Sequence, residues 1–335
     1  MFNINRAKPT LQLVLPGLLN LPPEELDVRA MQRDMPALQQ LLRYAERESN
    51  RLFDIDELLM QALGLQQPAL PYARAMKGDD AERCVLFKPV HLRADMNNAI
   101  FFPVDESDPD ISILIKGLND FFKEEFNIFA LPDKLWLMQF RRFDPVPGMP
   151  HYLSVVGKTV NQYMQQLRSN MDWLKLLNEI QMFLYQHPVN QQRELRGQPV
   201  INSLWCWGAD SYRGEKRTDL AWFSDEAEMQ ALGTLYCGES RSLEELAEFE
   251  LKSDAVVVDL RLMRALKGDA GESLAEQLMA IESSYLGAWV RRANCHIKLY
   301  SGGPDNLDYR PAMRFRFWKK GNWMPRYADS EPGQE

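Results

Sequence analysis

Apolar positions along this chain change their period several times, and each change marks an expected element. Leu11-Gln-Leu-Val-Leu15 reads as a strand cut by Pro16-Gly17. Behind Pro36, the residues Leu38, Leu41, Leu42 and Ala45 recur at helical spacing, with Asp34 as the expected cap. Ile55, Leu58, Leu59 and Ala62 share a face over Asp54 to Leu63, before Pro68 and Pro71. From Arg83 the pattern turns β-like: Val85 to Phe87, Ala99 to Phe102 and Leu135 to Phe140 read as strands. Between them, Ile111 to Glu125 carries a helical stripe of Ile111, Leu114, Ile115, Leu118 and Phe122. Trp173 to Gln186 is a helix with Leu174, Leu177, Ile180, Gln181, Leu184 and Tyr185 on one broad face, stopped at His187-Pro188.

Ile201 to Trp207 reads as a buried strand, and Leu232 to Cys237 as another. Ser242 to Phe249 opens with a capping-box pattern of Ser242 and Glu245. Asp254 to Leu260 is a buried strand, Ser273 to Val290 a long helix and Cys295 to Tyr300 a strand. Met313, Phe315 and Phe317 alternate with Arg314, Arg316 and Trp318, which predicts a half-exposed strand leading into a hairpin turn at Lys319 to Asn322. The polar tail from Ala328 is expected to fray. Strands alternating with helices predict an α/β core whose connections are the helices.

Composition narrows the class. The chain has 335 residues, 45% apolar and 26% charged, as in an ordinary globular protein of about two domains at ~150 residues each. Thirty-nine basic residues against 47 acidic give a net charge of −8, which argues against a globally basic nucleic-acid coat. No apolar run approaches the ~20 residues a membrane helix needs, and the Leu11 run is too short for a signal peptide. Cys84, Cys206, Cys237 and Cys295 are far apart and form no CxxC pair. They are expected to be small core residues of a reduced, cytoplasmic protein.

Familiar chemical motifs are scarce. His91, His151, His187 and His296 belong to no HxH or HExxH pattern, so no metal or cofactor is expected. Val155-Val-Gly-Lys-Thr159 lacks the first glycine of a phosphate loop, and there is no GxSxG elbow. Asp259, after an apolar strand, stands where α/β proteins collect ligands, although a helix cap fits it as well.

Two polar constellations remain. The first is His187-Pro-Val-Asn190-Gln-Gln-Arg193-Glu-Leu-Arg196-Gly197, followed by Asn202-Ser-Leu-Trp205-Cys-Trp207-Gly208. Arg193 and Arg196 with the two tryptophans suit an anion pocket with an aromatic wall. The same residues equally suit a helix-to-strand corner held by hydrogen bonds from Asn190 and Asn202. The second lies between Arg291 and Arg326, where nine basic residues face only Asp305 and Asp308. Arg310, Arg314, Arg316, Trp318, Lys319, Lys320, Trp323 and Arg326 there suit a solvated sheet face, a protein interface or a nucleic-acid surface.

The first constellation also carries a resemblance. Asn178 to Asn190, Arg193, Gly197, Pro199 and Asn202 to Gly208 resemble the bacterial family of RpfE-type regulatory proteins. So do Leu15-Pro-Gly-Leu-Leu19, Met35 to Leu42 and Pro89-Val-His91-Leu-Arg93-Ala-Asp95. Members of that family are often encoded beside a single-strand DNA exonuclease, which the resemblance makes a candidate partner. More distantly, the His-Pro-x-Asn…Arg…Asn-x-x-Trp-x-Trp-Gly stretch is similar to the archaeal-type, cofactor-independent phosphoglycerate mutases of the alkaline phosphatase superfamily.

That similarity implies an alkaline-phosphatase-like mixed sheet flanked by helices and interrupted by a smaller inserted α/β lobe. The core would take residues 1–79 and 200–327, the insert 80–199, with 328–335 as a tail. The candidate ligand- or anion-binding residues are His187, Asn190, Arg193, Arg196, Asn202, Trp205 and Trp207 of the constellation and His91, Arg93 and Asp95 of the RpfE-like block, and the similarity matches Arg193 to a substrate-side position. It also exposes departures. Such enzymes follow the first strand with a metal-binding Asp-Gly, where this chain has Pro16-Gly17. Their later Asp-x-x-x-His motif is replaced by Gly268-Asp-Ala-Gly-Glu-Ser273, and no serine stands in the nucleophile setting. The expectation is therefore a catalytically inactive scaffold that binds a partner. The alternatives are a phosphotransferase with metals on Asp254, Asp259, Asp269 and His296, and a nucleic-acid role for the basic C-terminal stretch.

Overall fold

The computed structural model describes residues 8–21, 33–50, 54–66, 69–95, 98–105, 107–142, 144–145, 149–167, 170–209, 216–268, 273–292 and 295–316. Among them run eleven strands: β1 (Thr10–Val14), β2 (Glu46–Ser49), β3 (Cys84–Asp95), β4 (Asn98–Pro103), β5 (Phe126–Ala130), β6 (Trp136–Phe140), β7 (Ser203–Trp207), β8 (Ala221–Phe223), β9 (Ala255–Val258), β10 (His296–Tyr300) and β11 (Asp305–Tyr309). They form two sheets with helices against them, a mixed α/β architecture. The chain divides into two compact units, Met1–Leu65 with Gly214–Glu335, and Gln66–Arg213.

In the first unit the sheet order is β2-β11-β10-β1-β9-β8. Strands β10, β1, β9 and β8 are parallel, and β11 and β2 extend the sheet antiparallel. Leu11 and Leu13 of β1 alternate with half-buried Thr10 and Gln12, so one face is fully apolar. On that face Ala255, Val257, Ile297 and Leu299 pack with Leu38, Leu41 and Leu42 of helix Pro36–Tyr44, and with Leu278, Ile281 and Trp289 of the long helical stretch that begins at Leu274. Asp34 does not cap helix Pro36–Tyr44: it pairs with Arg33, and the N-cap residue Met35 offers no side-chain bond. The Glu282 carboxylate supplies the acceptors instead, taking the Ala37 and Leu38 N–H groups at 2.8 and 2.9 Å.

In the second unit β3 is the spine. Val90 pairs with both Pro103 and Ser203, and Phe87 with both Trp136 and Cys206. Strands β4 and β6 therefore share one edge of β3, and β7 takes the other. Lys88 to Asp95, between the expected strands, continues β3 to a total of 12 residues from Cys84. Because β7 pairs with β3 and helix Tyr72–Lys77 packs on it, the boundaries fall outside the expected joints at 79/80 and 199/200.

Two expected strands are something else. Leu232 to Cys237 lies in helix Ala227–Cys237, where Met229, Leu232 and Tyr236 are buried at helical spacing. Gly233 there lets the Trp222 ring approach, since a Cβ would stand 2.2 Å from it. Pro311–Phe315 is a 3-10 turn: Pro311 fits its first turn, and Met313 alone is buried. The hairpin at Lys319 to Asn322 and the tail lie outside the described residues. In helix Met171–Gln186 the inward face is Trp173, Leu176, Leu177, Ile180 and Leu184. Tyr185, expected on that face, is 81% exposed. All four cysteines are buried and outside any disulfide, and burial pushes the Cys237 and Cys295 thiols up to about 11. No helix among the described residues is long and apolar enough to cross a membrane.

Candidate functional site

The carboxyl ends of β1, β8, β9 and β10 make one edge of the first sheet, the edge where open α/β sheets bind ligands. β1 ends at Leu15-Pro16-Gly17, with the Gly17 N–H on the Ser301 carbonyl that follows β10. Gly17 has a φ of +92°, and a Cβ on it would stand 2.4 Å from Leu266. Apolar packing thus crowds Gly17, and the residue before it, where the resemblance implies a metal-binding aspartate, is Pro16.

Asp259, after β9, is buried and fully engaged. Its Oδ1 accepts from the Arg261 backbone N–H and Nε, and its Oδ2 accepts from Arg261 Nη2 at 2.7 Å and Tyr285 Oη at 2.9 Å. Burial works against the charge of Arg261, but the Asp259 carboxylate outweighs it and pushes the guanidinium pKa up. Burial and the same carboxylate push the Tyr285 phenol well up, which keeps it a donor. After β8, Glu226 receives Arg264 Nε and Nη2 at 3.0 and 2.7 Å. The Asp225 carboxylate accepts from the Leu243 N–H.

The other expected metal candidates do not converge on this edge. Asp254 precedes β9 and accepts from the Thr10 N–H at 2.8 Å. Five residues of extended chain, about 17 Å, separate it from Asp259. His296 begins β10, at the same far end, 2.8 Å from Asp308. Asp269 lies outside the described residues. Among the described residues no group of three or more His, Cys, Asp or Glu is placed to hold a metal ion.

The conspicuous polar constellation lies in the second unit and forms a corner. His187 ends helix Met171–Gln186 and caps helix Pro188–Leu195, its Nδ1 accepting from the Val189 N–H. Its ring packs against Phe183 and Gly117, and burial lowers its pKa. Asn190 is buried; its Nδ2 donates to the carbonyls of Leu184 and Ile201, both at 2.7 Å, and its Oδ1 accepts from the Ile201 N–H. Arg193 is 3% exposed, donating to the Pro199 carbonyl and to Asp108 and Asp110. Arg196 reaches Asp110 at 2.6 Å from the solvent side. Burial opposes ionisation of Asp108, yet the hydrogen bonds from Arg193 and the Asp110 N–H hold its pKa below the ordinary range.

Asn202 clasps Leu92, accepting from its N–H at 2.8 Å and donating to its carbonyl at 2.9 Å. Trp205 donates to the Pro150 carbonyl. Trp207 lies among Tyr152 and His151, whose rings sit 5.3 and 5.5 Å away. The third block sits on the β3–β4 hairpin: His91 Nδ1 meets the Val200 carbonyl, Arg93 stacks over Phe102, and Asp95 is exposed opposite Asn98. The structure therefore joins Asn190, Arg193 and Arg196 with His187, and ties Asn202 and His91 to the adjoining strand.

Of the basic C-terminal candidates, Arg310 stands 3.4 Å from Asp308, Arg316 pairs with Glu46 at 2.8 Å, and Arg314 stacks on Phe315. Trp318, Lys319, Lys320, Trp323 and Arg326 lie outside the described residues. Sequence reasoning missed Asp108 and Asp110 as partners of Arg193. The Asp-Pro-Asp start of helix Pro109–Phe121 was a legible cap, but a pairing across 85 residues is not.

A scan against protein-family models gives no match, and neither does a search of curated proteins. Among solved structures, the PH0037 protein from Pyrococcus horikoshii is similar over 90% of this chain and 86% of its own, with a TM-score of 0.49 and 13% identity. A cofactor-independent phosphoglycerate mutase from Thermoplasma acidophilum is similar over 91% of this chain and 90% of its own, with a TM-score of 0.39 and 15% identity.

Proposed function

We propose that this protein is a regulatory or partner-binding scaffold with a phosphatase-like core, not a phosphoryl-transfer enzyme. One observation carries the reading: both carboxylate oxygens of Asp259, at the ligand edge of the sheet, are taken by Arg261, and Tyr285 adds a further donor. A two-metal phosphotransferase needs carboxylates open to cations that activate the nucleophile and neutralise the transferring group. The Pro16 side chain offers no donor atom, Asp259 is bound to a guanidinium, and Glu226 is bound to another. The residues present do not fit a metal pair.

The test is the metal content of protein from manganese- and zinc-supplemented cells, joined to a panel of phosphate esters. The expected result is no stoichiometric metal and no metal-dependent hydrolysis. About two metals per chain, with hydrolysis lost in Asp259→Ala, overturns the reading. The partner we propose is a protein, the single-strand DNA exonuclease suggested by the RpfE-type resemblance being the first candidate. Affinity purification from native cells tests it, and recovery of the bare chain alone removes it.

A further inference from the structure

Helix Met171–Gln186 carries a second stripe that is left exposed among the described residues. Its inward face is spent on the core of its own unit, yet Met171, Met182 and Tyr185 stand 69%, 62% and 81% exposed on the opposite side, with Leu174 half-buried beside them. At 100° per residue these four positions and exposed Asn178 fall in one band about 80° wide. The band is symmetric about Asn178: Leu174 and Met182 lie four residues to either side, and Met171 and Tyr185 seven. A two-fold dimer contact requires such a self-complementary patch.

The charges support the same occupant. Lys175 and Glu179 flank the band on one side, 77% and 48% exposed and only loosely paired at 3.9 Å. Laid antiparallel across a two-fold at Asn178, a second copy sets Leu174 against Met182 and Met171 against Tyr185. It brings Lys175 of each copy to the same side as Glu179 of the other, about 3 Å apart along the axis. The two Asn178 amides face each other, each with a donor and an acceptor to exchange. A lone asparagine in an apolar helix seam fixes register.

We propose that the outward stripe of helix Met171–Gln186 is a homodimer interface, formed antiparallel about Asn178 with a second copy of this chain. One helix face per chain is a small contact, so the dimer is concentration-dependent.

Light scattering across a dilution series of the full-length protein tests this. The mass is expected to rise from one chain to two with concentration. Lys175→Glu and Glu179→Lys each abolish the dimer where the unaltered chain is mostly dimeric, and the Lys175→Glu/Glu179→Lys double variant restores it. All these positions are exposed, so circular dichroism is expected to stay unchanged. Asn178→Cys is expected to give a disulfide-linked dimer on mild oxidation, which the unaltered chain does not, since all four of its cysteines are buried. A monomer at every concentration overturns the proposal. So does a dimer that survives both single charge reversals, because its interface then lies elsewhere.

Discussion

Asn190, Asn202 and Asn119 each use the side-chain amide as if it were a peptide group. Asn202 exchanges both bonds with Leu92, Asn119 does so with Ile128, and Asn190 does so with Ile201 while adding the Leu184 carbonyl. Each satisfies backbone that would otherwise lack a partner where a strand ends or an edge is left over. Replacing Asn190 with Ala strands the Ile201 N–H and carbonyl, while the Leu184 carbonyl keeps the His187 N–H, and is expected to destabilise the protein by about 3 kcal/mol. Urea unfolding followed by tryptophan fluorescence measures it, and a loss within experimental error would mean that the clasp carries no load.

Arg193 is the second test at this scale. Arg193→Ala leaves Asp108 and Asp110 facing one another near the interior, at an expected cost of about 3–5 kcal/mol. Arg193→Lys should recover little, since an ammonium cannot bond Pro199 and both carboxylates as the guanidinium fork does. The pH dependence has a definite sign. Asp108 has a folded pKa below its unfolded value, so its stabilisation is present above the ordinary carboxylate range and is lost as pH falls through the lowered value. Asp108→Asn is therefore expected to cost stability at neutral pH and to flatten the acid limb of the stability profile. Denaturation midpoints from neutral pH down to the acid limb would show this, and an unchanged acid limb would remove Asp108 from it.

At the level of elements, the long helix after Ser273 owes its shape to a π-helical turn at Glu282–Leu286 between Leu274–Ile281 and Gly287–Arg291. That turn carries both Glu282, which caps helix Pro36–Tyr44, and Tyr285, which reaches Asp259. The wider turn is what lets one helix serve two distant polar partners while Ile281, Leu286 and Trp289 stay in the core. Glu282→Ala removes the acceptors for two N–H groups and the charge at a helix N-terminus, for an expected loss of about 1–3 kcal/mol. Glu282→Gln keeps an oxygen and should lose less; equal losses would show that packing rather than capping matters there. Helices with a long apolar period were legible in the sequence, because burial on one face sets that period, as in Pro36–Tyr44, Ile55–Leu63 and Pro109–Phe121. Of the short strands, β1, β7, β9 and β10 were legible as apolar runs, but β2, β8 and β11 were not, and their registers come from partners far along the chain. The candidate site was half legible. The His187 to Trp207 residues stood out as a group, but the pairing of Arg193 with Asp108, and of Asp259 with Tyr285, depends on contacts that no local pattern encodes.

Across the whole molecule, the two units differ in how much of the chain each needs. In the first, β1 from the beginning of the sequence lies between β9 and β10 from its last third, so neither chain end can complete the sheet without the other. In the second, every strand that pairs with β3 comes from within Gln66–Arg213, and so do the Asn190 corner and the Asp108–Arg193 cluster. A segment with its own core and all its own backbone partners can fold alone. Residues 66–213 expressed alone are thus expected to unfold cooperatively, with buried tryptophan fluorescence. Residues 214–335 alone are expected to stay unfolded, for want of the strand at the middle of their sheet. Thermal melts of the two fragments decide this. A non-cooperative melt for 66–213 would mean that its sheet draws stability from beyond its own strands, and the sequence boundaries of the units would have to be redrawn.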